Sequence, residues 1–178
     1  MIVILSGPPG AGKTTIARRL ADESQMARAL HMHTDDVYGY IRKGYVDPWL
    51  PEARNQNTTL ALALAASAAV FARGGYLVIV DGIVGPWLIE PWLALARENL
   101  DVRYIVLRSS EDAVAARVEA RSPASGALRD GAVARTLARQ FANLGDFEKH
   151  VLSTTGFSAD ATLAALQGSL REGRFRLT

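Results

Sequence analysis

The stretch Gly7-Pro8-Pro9-Gly10-Ala11-Gly12-Lys13-Thr14-Thr15 constrains the fold more than any other part of the chain. It matches the phosphate-binding pattern GxxxxGK(S/T), and its flanks suit that pattern. The apolar run Met1–Leu5 predicts a buried strand before it, and Lys13–Ser24 predicts a helix after it. Strand, glycine-rich turn and helix N-terminus together aim backbone N–H groups at one point, and such a point holds a polyphosphate. With Gly near 7% of ordinary usage, the bare pattern arises by chance in roughly one chain of this size in a hundred. Pro8 and Pro9 have no N–H to give, so the cradle falls to the amides of Gly10 through Thr14, and the prolines stiffen the turn. Lys13 would reach the β- and γ-phosphates of a nucleotide, and the Thr14 hydroxyl would ligate Mg²⁺.

A length of 178 residues with 49% hydrophobic content suffices for one domain, so 1–178 is expected to fold around a single core. The formal net charge is only +2, and the pI of 9.1 reflects seventeen arginines against three lysines. Bulk electrostatics therefore give no case for a nucleic-acid partner. The absence of cysteine excludes disulfides and thiolate metal sites. The first apolar run leads straight into the glycine-rich turn rather than to a cleavage site. Leu60–Phe71 is apolar but too short to span a bilayer. A cytoplasmic protein without a membrane partner is the expectation.

Strand-like runs fall at Ile2–Leu5, Ala29–His33, Tyr76–Val80, Val102–Leu107 and His150–Ser153. Helical segments separate or follow them at Lys13–Ser24, Glu52–Arg73, Pro86–Asn99, Glu111–Arg121, Gly131–Lys149 and Ala159–Arg171. Strands alternating with helices predict an α/β fold, a parallel sheet with helices on both faces. Ligands of such sheets bind outside the carboxyl ends of the strands. The polar residues just after each strand are therefore the candidates: Gly7–Thr15, Thr34-Asp35-Asp36, Asp81-Gly82, Arg108-Ser109 and Thr154-Thr155-Gly156.

Asp35 or Asp36 would accept the proton of a hydroxyl that attacks a γ-phosphate, or would hold Mg²⁺ through water; alternatively Thr34 or Asp35 caps a helix over Asp36–Arg42. Asp81 closes the apolar run Leu77–Val80 and reads as the carboxylate that orients a Mg²⁺ shell through water, with Thr14 as its partner. The next residue is Gly82, where mechanical ATPases of the AAA type usually carry a water-activating glutamate. Arg117 and Arg121 lie one turn apart on a predicted helix and share a face. With the Pro/Gly/Ser-containing segment after them they read as an arginine-bearing lid over about 117–130, closing on the phosphates; a solvated face is the plainer alternative. Asp36, Tyr40, Trp49, Arg54, Asn57, Asp81, Gly82 and Trp87 form the candidate acceptor site, on the strength of aromatic and polar residues near the catalytic edge. His31 and His33 alternate on a strand and share a face, but the pair has no third metal ligand nearby in the sequence.

These residues (GPPGAGKTT at 7–15, HTDD at 33–36, GYVDPW at 44–49, VIVDG at 78–82, Arg117 and Arg121) give the chain a resemblance to a known group. It resembles the small P-loop kinases related to shikimate kinase, gluconate kinase and chloramphenicol phosphotransferase, above all gluconate-kinase-like P-loop proteins of bacteria. The resemblance spans nearly the whole chain and implies a three-layer P-loop NTPase fold with a five-stranded parallel sheet in the order 2-3-1-4-5. It implies ATP and Mg²⁺ with a hydroxyl-bearing small molecule as acceptor, Asp35 as base, and Lys13, Arg117 and Arg121 acting on the transferring phosphoryl group. It places Thr154 and Thr155 beside the adenine, and Arg108 joins them as a nucleotide-side candidate. The glycine triplet that shikimate kinases place after the third strand is absent here, as is the gluconate kinase pattern after the second. The expected function is an ATP-dependent phosphotransferase, monomeric or homodimeric. A nucleotide or nucleoside kinase, and a nucleotide-binding switch or ATPase without an acceptor, are the alternatives. A guanine-specificity motif of the NKxD type is absent.

Overall fold

The computed structural model describes residues 1–122 and 129–178. Strands β1 (Ile2–Ser6), β2 (Ala29–His33), β3 (Leu77–Asp81), β4 (Val102–Arg108) and β5 (Val151–Ser153) form one sheet in the order β2-β3-β1-β4-β5. Every neighbouring pair is parallel. This is the order implied by the resemblance, and the fold is that of a P-loop NTPase. The helices are α1 (Lys13–Asp22), α2 (Thr34–Tyr38), α3 (Arg54–Arg73), α4 (Glu90–Arg97), α5 (Glu111–Glu119), α6 (Gly131–Gln140) and α7 (Ala159–Arg171).

The period of two along β1 builds both halves of the core. Ile2 and Ile4 enter one cluster with Leu64, Ala65 and Ala68 of α3 and Trp92 and Leu95 of α4. Val3 and Leu5 enter the other with Ile16, Ala17 and Leu20 of α1 and Leu163 and Leu166 of α7. Each fully buried Val, Leu or Ile side chain among them contributes about 1.5–3 kcal/mol. A third cluster of Val114, Val118, Ala134 and Ala138 joins α5 to α6. Beyond α7 the chain returns to β4: Tyr104 N donates to Phe175 O at 2.9 Å and Leu177 N to Val102 O at 2.9 Å.

Several predicted helices are shorter than the sequence pattern suggests. Pro86 opens a 3₁₀ turn over Pro86–Leu88, and α4 starts afresh at Glu90. A helix running through from Pro86 would put Pro91 in its interior, at a cost of about 3 kcal/mol. α6 stops at Gln140; Gly145 beyond it has φ +56°, outside helical space. The helix expected over Asp36–Arg42 begins two residues earlier, at Thr34, and ends at Tyr38. Its N-cap is His33, so neither Thr34 nor Asp35 caps it; both lie in its first turn. The lid expected over 117–130 includes 123–128, which lie outside the described residues.

Candidate functional site

The glycine-rich turn between β1 and α1 depends on backbone conformations that only glycine takes cheaply. Gly7 has φ +136°, and a Cβ there would sit 2.3 Å from Leu107 O. Gly10 has φ +80°, with Val114 O 2.8 Å from the position of a Cβ. The turn thus lies tight against β4 and α5. Ala11 N donates to Pro8 O at 3.2 Å, which closes it. The first amides of α1, those of Lys13, Thr14 and Thr15, have no carbonyl within the helix to bond, so they face the turn as donors.

Lys13 is 8% exposed, and its Nζ donates to Gly7 O and Pro8 O, each at 2.9 Å. Burial pushes the ammonium down to about 8, against the pull of the Asp81 and Asp35 charges; the Arg121 charge pushes the same way as burial. Thr14 Oγ1 donates to Asp81 Oδ2 at 2.7 Å. A hydroxyl and a carboxylate are thereby joined at the foot of the loop, hard oxygen donors of the kind Mg²⁺ takes, so the residues fit that ion.

Asp81 is fully buried at the end of β3, and His33 is its partner in the register between β2 and β3. His31, two residues back on the same face, contacts Asp81 Oδ1 through Nε2. His33 Nδ1 reaches the same oxygen at 3.1 Å, and its Nε2 lies 3.5 Å from Asp35 Oδ2. Burial alone would raise the Asp81 pKa, but hydrogen bonds from His31, His33 and Thr14 outweigh it and hold the carboxyl well below the usual range. His33 is pushed up to about 10 by its bonds to Asp35 and then Asp81. It is therefore an imidazolium bridging two carboxylates at neutral pH. The bond to His33 also lowers Asp35, which stays ionised and, with 75% of its side chain exposed, open to a ligand.

Two hollows flank the loop. The larger, about 1480 Å³, is lined by Lys13, Thr14, His33, Asp35, Trp49 and Trp87. Asn57, Gly82 and Arg121 also line it. The smaller, about 240 Å³, lies across the loop between Gly10–Gly12, Thr15, Arg117, Thr154 and Phe157. Arg117 Nη1 donates to Gly10 O at 3.3 Å.

Other candidates sit elsewhere. Arg108, at the end of β4, forks onto Glu148 at 2.6 and 3.0 Å and lines neither hollow. Asp36, Arg54 and Thr155 are exposed and outside both linings, and Tyr40 is 75% exposed. Asn57 holds the wall rather than presenting itself: its Oδ1 accepts from Tyr38 at 2.9 Å, and its Nδ2 donates to Pro48 O at 2.8 Å. Three contributors were not singled out in the sequence. Arg18 and Phe157 reach the hollows from helix and loop positions without a motif. Ser6 fixes the segment after β3, donating to Val84 O at 2.6 Å and accepting from Val84 N at 3.1 Å. For the two histidines, the third ligand missing nearby in the sequence stands on the neighbouring strand, where only the register reveals it.

Solved structures share the fold. A sugar kinase from Janibacter sp. superposes with TM-score 0.68 at 17% identity, over 96% of this chain and 94% of that one. The tunicamycin resistance protein of Deinococcus radiodurans superposes with TM-score 0.65 at 15% identity, over 99% and 98%. A gluconokinase from Sinorhizobium meliloti gives TM-score 0.60 at 17% identity, over 96% and 95%. No curated protein sequence matches the chain significantly. The family model of the AAA domain matches residues 2–145, which take in the loop, both histidines, Asp35, Asp81, Arg117 and Arg121, and the chain belongs to that family.

Proposed function

We propose that the chain is an ATP-dependent phosphotransferase that moves the γ-phosphate of ATP to a hydroxyl of a small molecule. One observation supports this reading: Lys13, Thr14 and the ionised Asp35 line the same cleft, which is large enough for an acceptor, while a second hollow lies beside Gly10–Gly12, Thr15 and Thr154. A donor and an acceptor would meet between them. The Gly10–Thr14 amides and Lys13 hold the phosphates, and Asp35 takes the hydroxyl proton. Arg121 from the cleft side and Arg117 from the loop side steady the charge on the group in transit. Mg²⁺, held by Thr14 and through water by Asp81, would supply charge neutralisation between the β- and γ-phosphates.

Gly82 supports transfer over water hydrolysis. A Cβ at this position would lie 2.0 Å from Thr34 Oγ1, so the glutamate that AAA-type motors usually carry there does not fit. The kinases among the structural neighbours support the same reading. A nucleoside or nucleotide as the acceptor is the second reading, supported by Trp49 and Trp87, which are 50% and 52% exposed at the cleft and available for stacking.

The test is ADP release from ATP and Mg²⁺ across pooled sugars, other alcohols, nucleosides, and phenicol and aminoglycoside antibiotics. Acceptor-dependent ADP that falls roughly a hundredfold or more in Lys13→Ala is the expected result. Asp35→Asn should lower turnover by a factor of about 10² or more with little change in ATP affinity. ADP release that no acceptor changes would turn the reading toward a nucleotide-dependent switch.

A further inference from the structure

Among the described residues, His31, His33 and Asp81 bring three ligand-type atoms within 4.8 Å of one another. The phosphotransferase reading uses Asp81 and leaves both imidazoles without a task. We infer that this cluster is a transition-metal site, with Zn²⁺ its best-fitting ion, bound by His31 Nε2, His33 Nδ1 and the Asp81 carboxylate, with water in the fourth position.

The geometry suits such an ion. Bonds of about 2.1 Å in a tetrahedron space the ligand atoms by roughly 3.4 Å. His33 Nδ1 and Asp81 Oδ1 are 3.1 Å apart, and His31 Nε2 touches the same oxygen. Small ring rotations would open the space, because the ring centroids are already 6.3 Å apart and tilted by 38°. Two hydrogen-bonded strands hold all three side chains, so the backbone does not have to move. The imidazoles are 16% and 26% exposed, so water and ions reach them, whereas Asp81 is closed off behind them.

The surroundings match those of a metal-bound histidine. The second nitrogen of His33 faces the Asp35 carboxylate at 3.5 Å, and a carboxylate behind a ligating imidazole fixes its tautomer and strengthens it as a donor. The other Asp81 oxygen is held by the Thr14 hydroxyl. Asp35 and Asp81 set two carboxylates against the His33 ring, and a dication bound there takes the place of the ring proton, which is released to solvent. Two nitrogens and a carboxylate favour Zn²⁺, Co²⁺ or Ni²⁺ over Mg²⁺, which asks for an octahedron of oxygens. The inference stands whether or not the chain transfers phosphate.

The experiment titrates Zn²⁺ into the tag-free, metal-stripped chain in excess Mg²⁺ and follows the imidazole signals by NMR. The chain has three histidines, and the third, His150, is buried with Nδ1 on Tyr104 O at 3.0 Å, so it serves as an internal control. One equivalent should move the signals of His31 and His33 and leave His150 in place. His31→Gln and His33→Gln should each weaken binding tenfold or more with unchanged circular dichroism, and Co²⁺ should give the visible spectrum of a tetrahedral imidazole site. No saturable shift in the unmodified chain, or binding that survives both substitutions, would overturn the site. The titration of the unmodified chain decides alone if either variant misfolds.

Discussion

His33 is the residue on which the two carboxylates of the site converge, and its charge should be visible in stability. Its pKa rises from 6.5 unfolded to about 10 folded, so the folded state keeps a proton that the unfolded chain loses between those values. Its contribution is complete below about pH 6.5 and is lost as pH rises toward 10. Lys13 has the opposite sign: its folded value of about 8 lies below 10.5, so stability recovers between pH 8 and 10.5 as the buried ammonium loses its proton. Urea midpoints should therefore fall from pH 6.5 to 8 and then level off. His33→Gln should abolish the fall and uncover a rise between pH 8 and 10.5 from Lys13. An unchanged slope in that variant would remove His33 as its source.

Among the elements, the junction between β3 and α2 leaves little room. Gly82 follows β3 so closely under Thr34 that a methyl group has no room. Gly82→Ala should destabilise by about 1–3 kcal/mol, read as a lowered denaturant midpoint, because Thr34 or the β3 exit must shift. At α6, Asp130 Oδ1 accepts from Ala132 N at 2.8 Å and Val133 N at 3.1 Å. Asp130→Ala should cost about 1 kcal/mol in the same measurement, without touching the loop. The sheet order followed from recognising the loop and its neighbours, and β1 and β3 were plain as unbroken apolar runs. Helix limits were less legible, because Pro91 and Gly145 act through positions inside an otherwise helical pattern. The site divided in the same way. Lys13, Thr14 and Asp81 belong to local patterns, whereas the pairing of His31 and His33 with Asp81 depends on strand register, a contact 50 and 48 residues apart in the chain. Arg108 was misleading for the same reason: its position after a strand gave no sign of Glu148, which arrives from 40 residues away.

At the scale of the whole molecule, the loop separates two hollows that should respond to mutation independently. Phe157→Ala, on the small side, should raise the KM for ATP by roughly two- to tenfold and leave that for the acceptor unchanged; Trp87→Ala, on the large side, should do the reverse. Steady-state kinetics with both substrates varied would check it, and a joint change in both constants would contradict the separation. The sheet distributes these duties unevenly. β1 and β3, which carry the phosphate loop and Asp81, are buried at every position in the middle of the sheet, whereas β2, which leads into Asp35 and the wall of the large cleft, is half-buried throughout and paired along one side only. A substitution on β2 or just after it disturbs one neighbour, while one on β1 disturbs two strands and both layers of helices. Change along that single margin can therefore reshape the large cleft while the phosphate loop and Asp81, packed from both sides, stay where they are.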